Sequence, residues 1–230
     1  LAGFIETLQT LPLDDTERGN YLNRMAQQAA RMKTLVDDLL MLSRIEGSAP
    51  PGEREWSSVR ALLQRCEADA HALSAQLCAT SQDAPGRSAP GHTITFEGAE
   101  TADEIAGVAN ELQSVFFNLI NNAVRYTPPG GRIEVRWTPT PDGGARFSVR
   151  DSGSGIAPEH IPRLTERFYR VDSDRSRASG GTGLGLSIVK HVLQRHDAAL
   201  CIESAPGQGA CFTVIFPASR RRAAPLSHPA

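Results

Sequence analysis

A chain of 230 residues, 40% of them hydrophobic, has enough apolar material for a packed core, which excludes a disordered protein. A formal net charge of −2 leaves no electrostatic footprint for nucleic acid or an anionic membrane surface. The four cysteines, Cys66, Cys78, Cys201 and Cys211, form no C-x-x-C pair, which argues against zinc or redox chemistry and suits free thiols in a reducing compartment.

No run approaches the roughly twenty apolar residues of a membrane span, and no signal peptide is visible. A start at Leu1-Ala2-Gly3 without Met points to a piece of something longer. Leu1, Phe4, Ile5, Leu8 and Leu11 recur at three- and four-residue spacing, predicting the end of an amphipathic helix over 1–11. Pro12 to Thr16 breaks it, and Asp15 or Thr16 can cap a long helix that reaches about Glu46. Along that helix Leu22, Met25, Ala29, Met32, Val36 and Leu39 form an a/d seam, widened by Leu35, Leu40 and Leu42. The stripe fits an ordinary core helix or, more sharply, one arm of a hairpin that builds a dimeric four-helix bundle.

Pro and Gly then interrupt the pattern, giving a linker over 48–53. A helix is predicted over 57–79, a loose surface loop over 80–91 and a strand over 92–96. Next come a helix over 111–126, a strand pair at 133–137 and 145–149 around a Pro-Asp-Gly-Gly turn, and a helix from about Gly183 to Gln194. A hairpin at 200–203 and 211–216 closes the domain. Helices interspersed with hairpins predict an α+β fold: a two-layer α/β sandwich with a mixed, mainly antiparallel sheet under helices, behind a partial helical hairpin. The expected divisions are 1–47, the linker 48–53, a main domain over 54–218 and a disordered tail over 219–230. Arg220-Arg221-Arg222 then reads as a solvated end.

Three segments carry chemistry. Asn118, Asn122 and Arg125 fall at i, i+4 and i+7, so they share a helix face. Amide oxygens are hard, neutral ligands suited to a Mg²⁺ that bridges phosphates, and a guanidinium one turn on can pair with phosphate oxygens. Asparagine is a poor helix former, so three of them at 118, 121 and 122 call for a reason. Asp151 ends a strand and is followed by Gly153 and Gly155, a carboxylate beside yielding backbone that can accept from an adenine amine. Gly180 to Leu186 opens an apolar helix whose exposed N–H groups and positive dipole end make a phosphate site. It is neither a Walker A sequence nor a dinucleotide fingerprint, because no G-K-[S/T] follows and no strand directly precedes it. The segment 165–182, with Arg167, Arg170, Arg175 and Arg177, reads as a mobile lid.

These segments resemble the boxes of the sensor histidine kinases of two-component systems, which share the Bergerat ATP-binding fold. Asn118 to Pro128 is similar to the N box, Asp151 to Ile156 to the G1 box, Glu166 to Arg170 to the F box, and Gly181 to Leu186 to the G2 box. The resemblance runs from the dimerisation helices to Gly207-Gln-Gly209, and Ile156 to Val171 is especially similar to the phosphate-regulon sensor kinases. It implies ATP and Mg²⁺, with Asn122 the main metal ligand and Asn118 its support. It places Arg125 at the phosphates, Tyr126 along the nucleotide and Asp151 on the adenine amine. Gly153 and Gly155 would let the backbone approach and Phe168 would anchor the lid, with Ile156 and Arg170 also among the ATP-binding residues. Gly181, Gly183 and Gly185 would let the lid close on the phosphates, with Thr182, Leu184 and Leu186 also among the ATP-binding residues.

It also implies γ-phosphoryl transfer to a histidine and then to an aspartate of a PhoB-like response regulator. The full-length protein would be a homodimer anchored in the bacterial inner membrane, with this portion in the cytoplasm and no nucleic-acid partner. Two departures stand out: Ala210 replaces the usual Thr or Ser, and no His-Glu-Leu-Arg-Thr-Pro-like box is present. The first of six histidines is His71, so no acceptor histidine is assigned. A gyrase- or chaperone-type ATPase with a glutamate where Asn118 stands, or a non-catalytic nucleotide-binding module, are the alternatives.

Overall fold

The structure is a computed structural model that describes residues 10, 12–52, 55–80, 90–171 and 181–223. The helix expected over 1–11, most of the 80–91 loop, Gly180, the stretch with Arg175 and Arg177, and the tail beyond 223 lie outside the described residues.

Helix α1 spans Asp15–Gly47. Its cap is Asp14, not the predicted Asp15 or Thr16: Asp14 Oδ1 accepts from Glu17 N at 2.7 Å while Glu17 Oε2 accepts from Asp14 N at 3.1 Å. This reciprocal box satisfies two of the orphan donors of the first turn. Strand β1 (Trp56–Ser58) leads into α2 (Val59–Thr80), followed by β2 (Thr93–Glu97), β3 (Asp103–Ala106) and α3 (Ala109–Tyr126). Then come β4 (Arg132–Pro139), β5 (Ala145–Asp151), a 3₁₀ turn at Ile161–Arg163, α4 (Gly185–Arg195), β6 (Ala199–Ser204) and β7 (Ala210–Phe216). A second 3₁₀ turn, Ala218–Arg220, precedes β8 (Arg221–Ala223).

The larger sheet has the order β2-β4-β5-β7-β6, parallel only between β2 and β4. Along β4 the side chains of Ile133, Val135 and Trp137 alternate inward, and along β5 those of Ala145, Phe147 and Val149 do so. Helix α3 lays Leu112, Val115, Phe116, Leu119, Ile120, Ala123 and Val124 on that face. Phe116 stacks on Phe147 at 4.0 Å between ring centroids. Helix α4 adds Ile188, Val189, Val192 and Leu193. Each such aliphatic or aromatic side chain contributes about 1.5–3 kcal/mol on full burial. Here is the mixed, mainly antiparallel two-layer sandwich expected, with the other sheet face open to solvent.

A smaller sheet, β1-β3-β8, was not foreseen. It also corrects the expected disordered tail over 219–230, because 219–223 are held in place. Arg220 is 4% exposed, and its Nη2 donates to Asp197 at 2.8 Å. Arg221 pairs with Asp103 through Nη2 at 2.7 Å and Nε at 2.8 Å. Arg222 donates to Glu104 and lies 4.2 Å over the Trp56 ring. A charge run reads as a solvated end only when its counter-ions are not already folded beside it.

The a/d seam of α1 is open in the single chain, with Leu22, Met32, Val36 and Leu39 each about half exposed. Its last turns behave otherwise: Leu42 and Ile45 are buried in the core of the main domain. Cys66, Cys78 and Cys211 are buried as expected of free thiols, and Cys201 on β6 is exposed. Burial pushes the Cys66 thiol up to about 12, which keeps it unreactive. No helix among the described residues is long and apolar enough to cross a membrane.

Candidate functional site

Strand alternation decides where Asp151 points. It continues the inward set of Phe147 and Val149 at the end of β5, so its carboxylate lies under the helical layer, 8% exposed. Asp151 Oδ1 accepts from Gly153 N at 2.8 Å and Ala210 N at 3.3 Å, which leaves Oδ2 without a partner among the described residues. Burial raises this carboxyl above the ordinary carboxylate range; the Gly153 and Ala210 N–H groups and Arg150 offset part of that. Ala210, which departs from the family pattern by lacking a hydroxyl, meets Asp151 through its backbone instead.

The glycines around this carboxylate make room for the chain itself. A Cβ on Gly153 would lie 2.5 Å from Tyr126 O, so Gly153 lets the end of β5 tuck beneath the last turn of α3. Gly155 has φ +68° and a Cβ there would sit 1.9 Å from Ala205 O. Ile156 is half-buried and donates its N–H to Ser204 Oγ at 2.8 Å, while Ser204 Oγ donates to Gly209 O at 2.7 Å. Sequence reasoning missed Ser204, a lone serine at a strand end with no distinguishing signal.

On α3 the polar face lies where the periodicity put it. Asn118 Nδ2 donates to Ser114 O at 2.9 Å, which turns the amide oxygen toward the start of α4. The Asn122 amide is half-buried and makes no hydrogen bond to the described residues. Arg125 Nε donates to Asn121 Oδ1 at 2.9 Å, and burial lowers its pKa. Tyr126 is half exposed. Among the described residues no group of three or more His, Cys, Asp or Glu side chains could hold a metal ion, so amide oxygens are the hard donors on this face.

The glycine-rich stretch forms a lip against both other parts. Gly183, at φ +75°, packs on the Phe168 backbone, and Phe168 N donates to Gly183 O at 2.9 Å. Phe168 itself has φ 62° and an exposed ring. Arg170 Nη1 donates to Gly181 O at 2.8 Å, while its Nη2 is buried without a partner among the described residues. Thr182 Oγ1 accepts from Leu184 N at 3.3 Å and donates to Asp38 Oδ2 on α1 at 2.8 Å. Leu184 is fully buried, Leu186 packs against the core, and α4 begins without a side-chain cap. Beyond Leu184, whose N–H meets Thr182, the first N–H groups of α4 have no side-chain cap and can meet an anion. The Asp38 contact was not foreseen, because an acidic pair at 37–38 on a seam helix looks like an exposed charge.

Two family models match this chain. One, described as histidine kinase-, DNA gyrase B- and HSP90-like ATPase, covers residues 107–220, and the other, the His kinase A phospho-acceptor domain, covers residues 1–48. The chain is 47% identical over 221 residues to the phosphate regulon sensor protein PhoR of Pseudomonas aeruginosa, covering 94% of this chain and 46% of that protein. It is 33% identical over 217 residues to PhoR of Haemophilus influenzae, covering 94% of this chain and 47% of that protein. The chain thus spans about half the length of the curated relatives it matches. Among solved structures, full-length ShkA in complex with AMPPNP aligns with TM-score 0.69 at 24% identity, over 95% of this chain and 42% of that one. The mycobacterial sensor histidine kinase MprB aligns with TM-score 0.55 at 26% identity, over 71% of this chain and 96% of that one. The order of elements, the glycine-lined carboxylate and these matches lead to one conclusion: the chain belongs to the sensor histidine kinase family.

Proposed function

We propose that this chain is the ATP-binding portion of a two-component sensor histidine kinase in phosphate signalling. It binds Mg-ATP and presents the γ-phosphoryl to a histidine, from which it passes to an aspartate of a PhoB-like response regulator. The observation that carries the reading is Asp151: a buried carboxylate at a strand end, one oxygen held by two backbone N–H groups and the other free for an adenine amine. Alternation along β5 and the glycines behind it hold this acceptor in one orientation.

The residues present fit a Mg²⁺ ion. Asn122 offers an uncommitted amide oxygen, Asn118 is oriented by Ser114, and Arg125 supplies charge on the same face. When bound, the ion would neutralise charge on the phosphates. Arg125, desolvated by burial, gains from any anion brought beside it. The α4 N-terminus and the lip hold the phosphates, so catalysis here is positioning and electrostatics without a protein nucleophile. A gyrase- or chaperone-type hydrolase is disfavoured by α3: its one carboxylate, Glu111, receives Arg195 Nε and Nη2, each at 3.2 Å.

The open seam on α1 supports a homodimer, since about half of each of Leu22, Met32, Val36 and Leu39 otherwise stays in water. The resemblance to the phosphate-regulon sensors supports a cytoplasmic position below a bacterial inner membrane. Calorimetry on Asp151→Asn tests the central point. ATP affinity should fall by well over tenfold, because a buried hydrogen bond to a charged group contributes roughly 1.5–3 kcal/mol. Unchanged affinity with a native melting curve would remove Asp151 from the adenine site.

A further inference from the structure

We propose that Asp38 is a positioning residue that latches the glycine-rich lip 181–185 onto helix α1 and so restrains nucleotide binding. The inference rests on the nucleotide reading above. Asp38 Oδ2 and Thr182 Oγ1 lie 2.8 Å apart, although 144 positions separate them in sequence. The same hydroxyl accepts from Leu184 N at 3.3 Å, so the Thr182 side chain is held by α1 on one side and itself occupies an N–H at the start of α4 on the other. Those are the groups that an incoming phosphate would use.

Asp38 is half-buried, and no cation pairs with it among the described residues; the nearby Lys33 donates to Asp37 instead, at 2.6 Å. Burial accordingly raises its carboxyl above the ordinary range, with Thr182 lowering it and Asp37 raising it further. An uncompensated carboxylate thus faces the place assigned to the most highly charged part of the ligand. Repulsion there grows with phosphate number, so it acts on ATP more than on ADP and leaves adenosine untouched.

Neighbouring contacts keep the helix in reach. Leu42 and Ile45 are buried in the main domain one and two turns on, and Glu46 accepts from Arg167 and lies 3.5 Å from His191 Nε2. Arg170 holds the start of the lip through Gly181 O. Helix α1 is therefore fixed at its end, and among the described residues the Asp38–Thr182 hydrogen bond ties the lip to it. While the latch is closed, apparent ATP affinity is reduced by the closed fraction.

The test compares the parent chain with Asp38→Ala and Asp38→Asn in calorimetry with Mg-ATP, Mg-ADP and adenosine. Amide exchange of nucleotide-free protein is measured alongside. Asp38→Ala should bind Mg-ATP about fivefold more tightly, Mg-ADP less so and adenosine as before, since releasing a modest tie shifts the population by that order. Exchange at 181–185 should quicken. Asp38→Asn keeps an acceptor for Thr182 without the charge, so its ATP affinity should fall between, and it keeps the test readable if the alanine variant misfolds. Equal or weaker ATP affinity in a folded variant, or unchanged exchange at 181–185, overturns the latch alone. Failure of every form, the parent included, to bind either ATP or adenosine overturns the nucleotide reading and the latch with it.

Discussion

Gly185 meets Asn118 so closely that a Cβ on the glycine would lie 2.5 Å from Asn118 Oδ1. The first residue of α4 and the polar face of α3 are therefore fitted to each other, joining two of the three segments that the sequence singled out. Gly185→Ala should push Asn118 out of place or shift the start of α4. Mg-ATP affinity should drop by about tenfold, since displacements of this size cost on the order of 1.4 kcal/mol in binding. Calorimetry beside a melting curve separates that loss from unfolding, and an alanine variant with parental affinity would show the fit to be incidental.

Asn122→Ala removes the uncommitted amide of the same face. Binding of ATP should lose most of its Mg²⁺ dependence, while adenosine, which has no phosphates, should bind nearly as before. Titrations of both ligands with and without the ion decide it; equal losses for the two would mean that this face does not meet the phosphates.

Self-labelling should fail. Phosphoryl transfer needs an imidazole held close to in-line with the γ-phosphate. Among the described histidines, His92 lies between Ser74 and Thr127 O, His160 is bonded to Tyr169 Oη, and His191 and His196 are bonded to backbone carbonyls. His71, on α2, lacks the family's acceptor box, and His228 lies outside the described residues. The chain should bind Mg-ATP without acquiring acid-labile, base-stable phosphate, and it should slowly label a separate helical hairpin that carries the intact box. Mapping such phosphate to any of the six histidines of this chain would sink the prediction.

Acid should loosen the smaller sheet. Burial alone would raise the Asp103 carboxyl, but Arg221 and Trp137 outweigh it and hold the group below the usual carboxylate range. A group depressed in the folded state stabilises fully above its unfolded value, near 3.9, and loses that contribution as pH falls through the lower folded value. Melting temperature should therefore decline as pH drops below about 4, less steeply in Asp103→Asn. At neutral pH, Arg221→Ala should cost roughly 1–3 kcal/mol, because the Asp103 carboxylate loses its cation and keeps only neutral donors such as Trp137 Nε1. A pH profile identical in parent and Asp103→Asn would show that the pair contributes nothing.

Much of the fold was legible because its main elements are seven residues or longer, enough for a period to show. Helices α3 and α4 and the strands β4, β5 and β7 carry periods that survive errors of a residue or two at their ends. Strands β1, β3 and β8 do not, being only three or four residues long and defined by partners such as Trp56↔Ala106 and Asp103↔Ala223. Arg220, Arg221 and Arg222 illustrate the same limit: Asp197, Asp103 and Glu104 become visible as their partners only once the chain is folded. Within the site, Asp151, Asn118 and the lip glycines announce themselves by residue type. Gly155 does so for a different reason from the one its motif suggests, since the atom it must avoid, Ala205 O, belongs to a turn far along the chain.

Pro and Gly between α1 and the main domain would suggest a loose tether, yet the carbonyls there are gripped from the other side. Arg195 Nη1 donates to Ile45 O at 2.8 Å and to Ser48 O at 2.7 Å, and Arg220 Nη1 donates to Pro51 O at 3.1 Å. A helix end and the residues just after it, fastened together at three carbonyls, do not act as a universal joint. Torque applied along α1 therefore reaches α4 through Arg195 and the 3₁₀ turn before β8 through Arg220, and these two arginines set how stiff that drive shaft is.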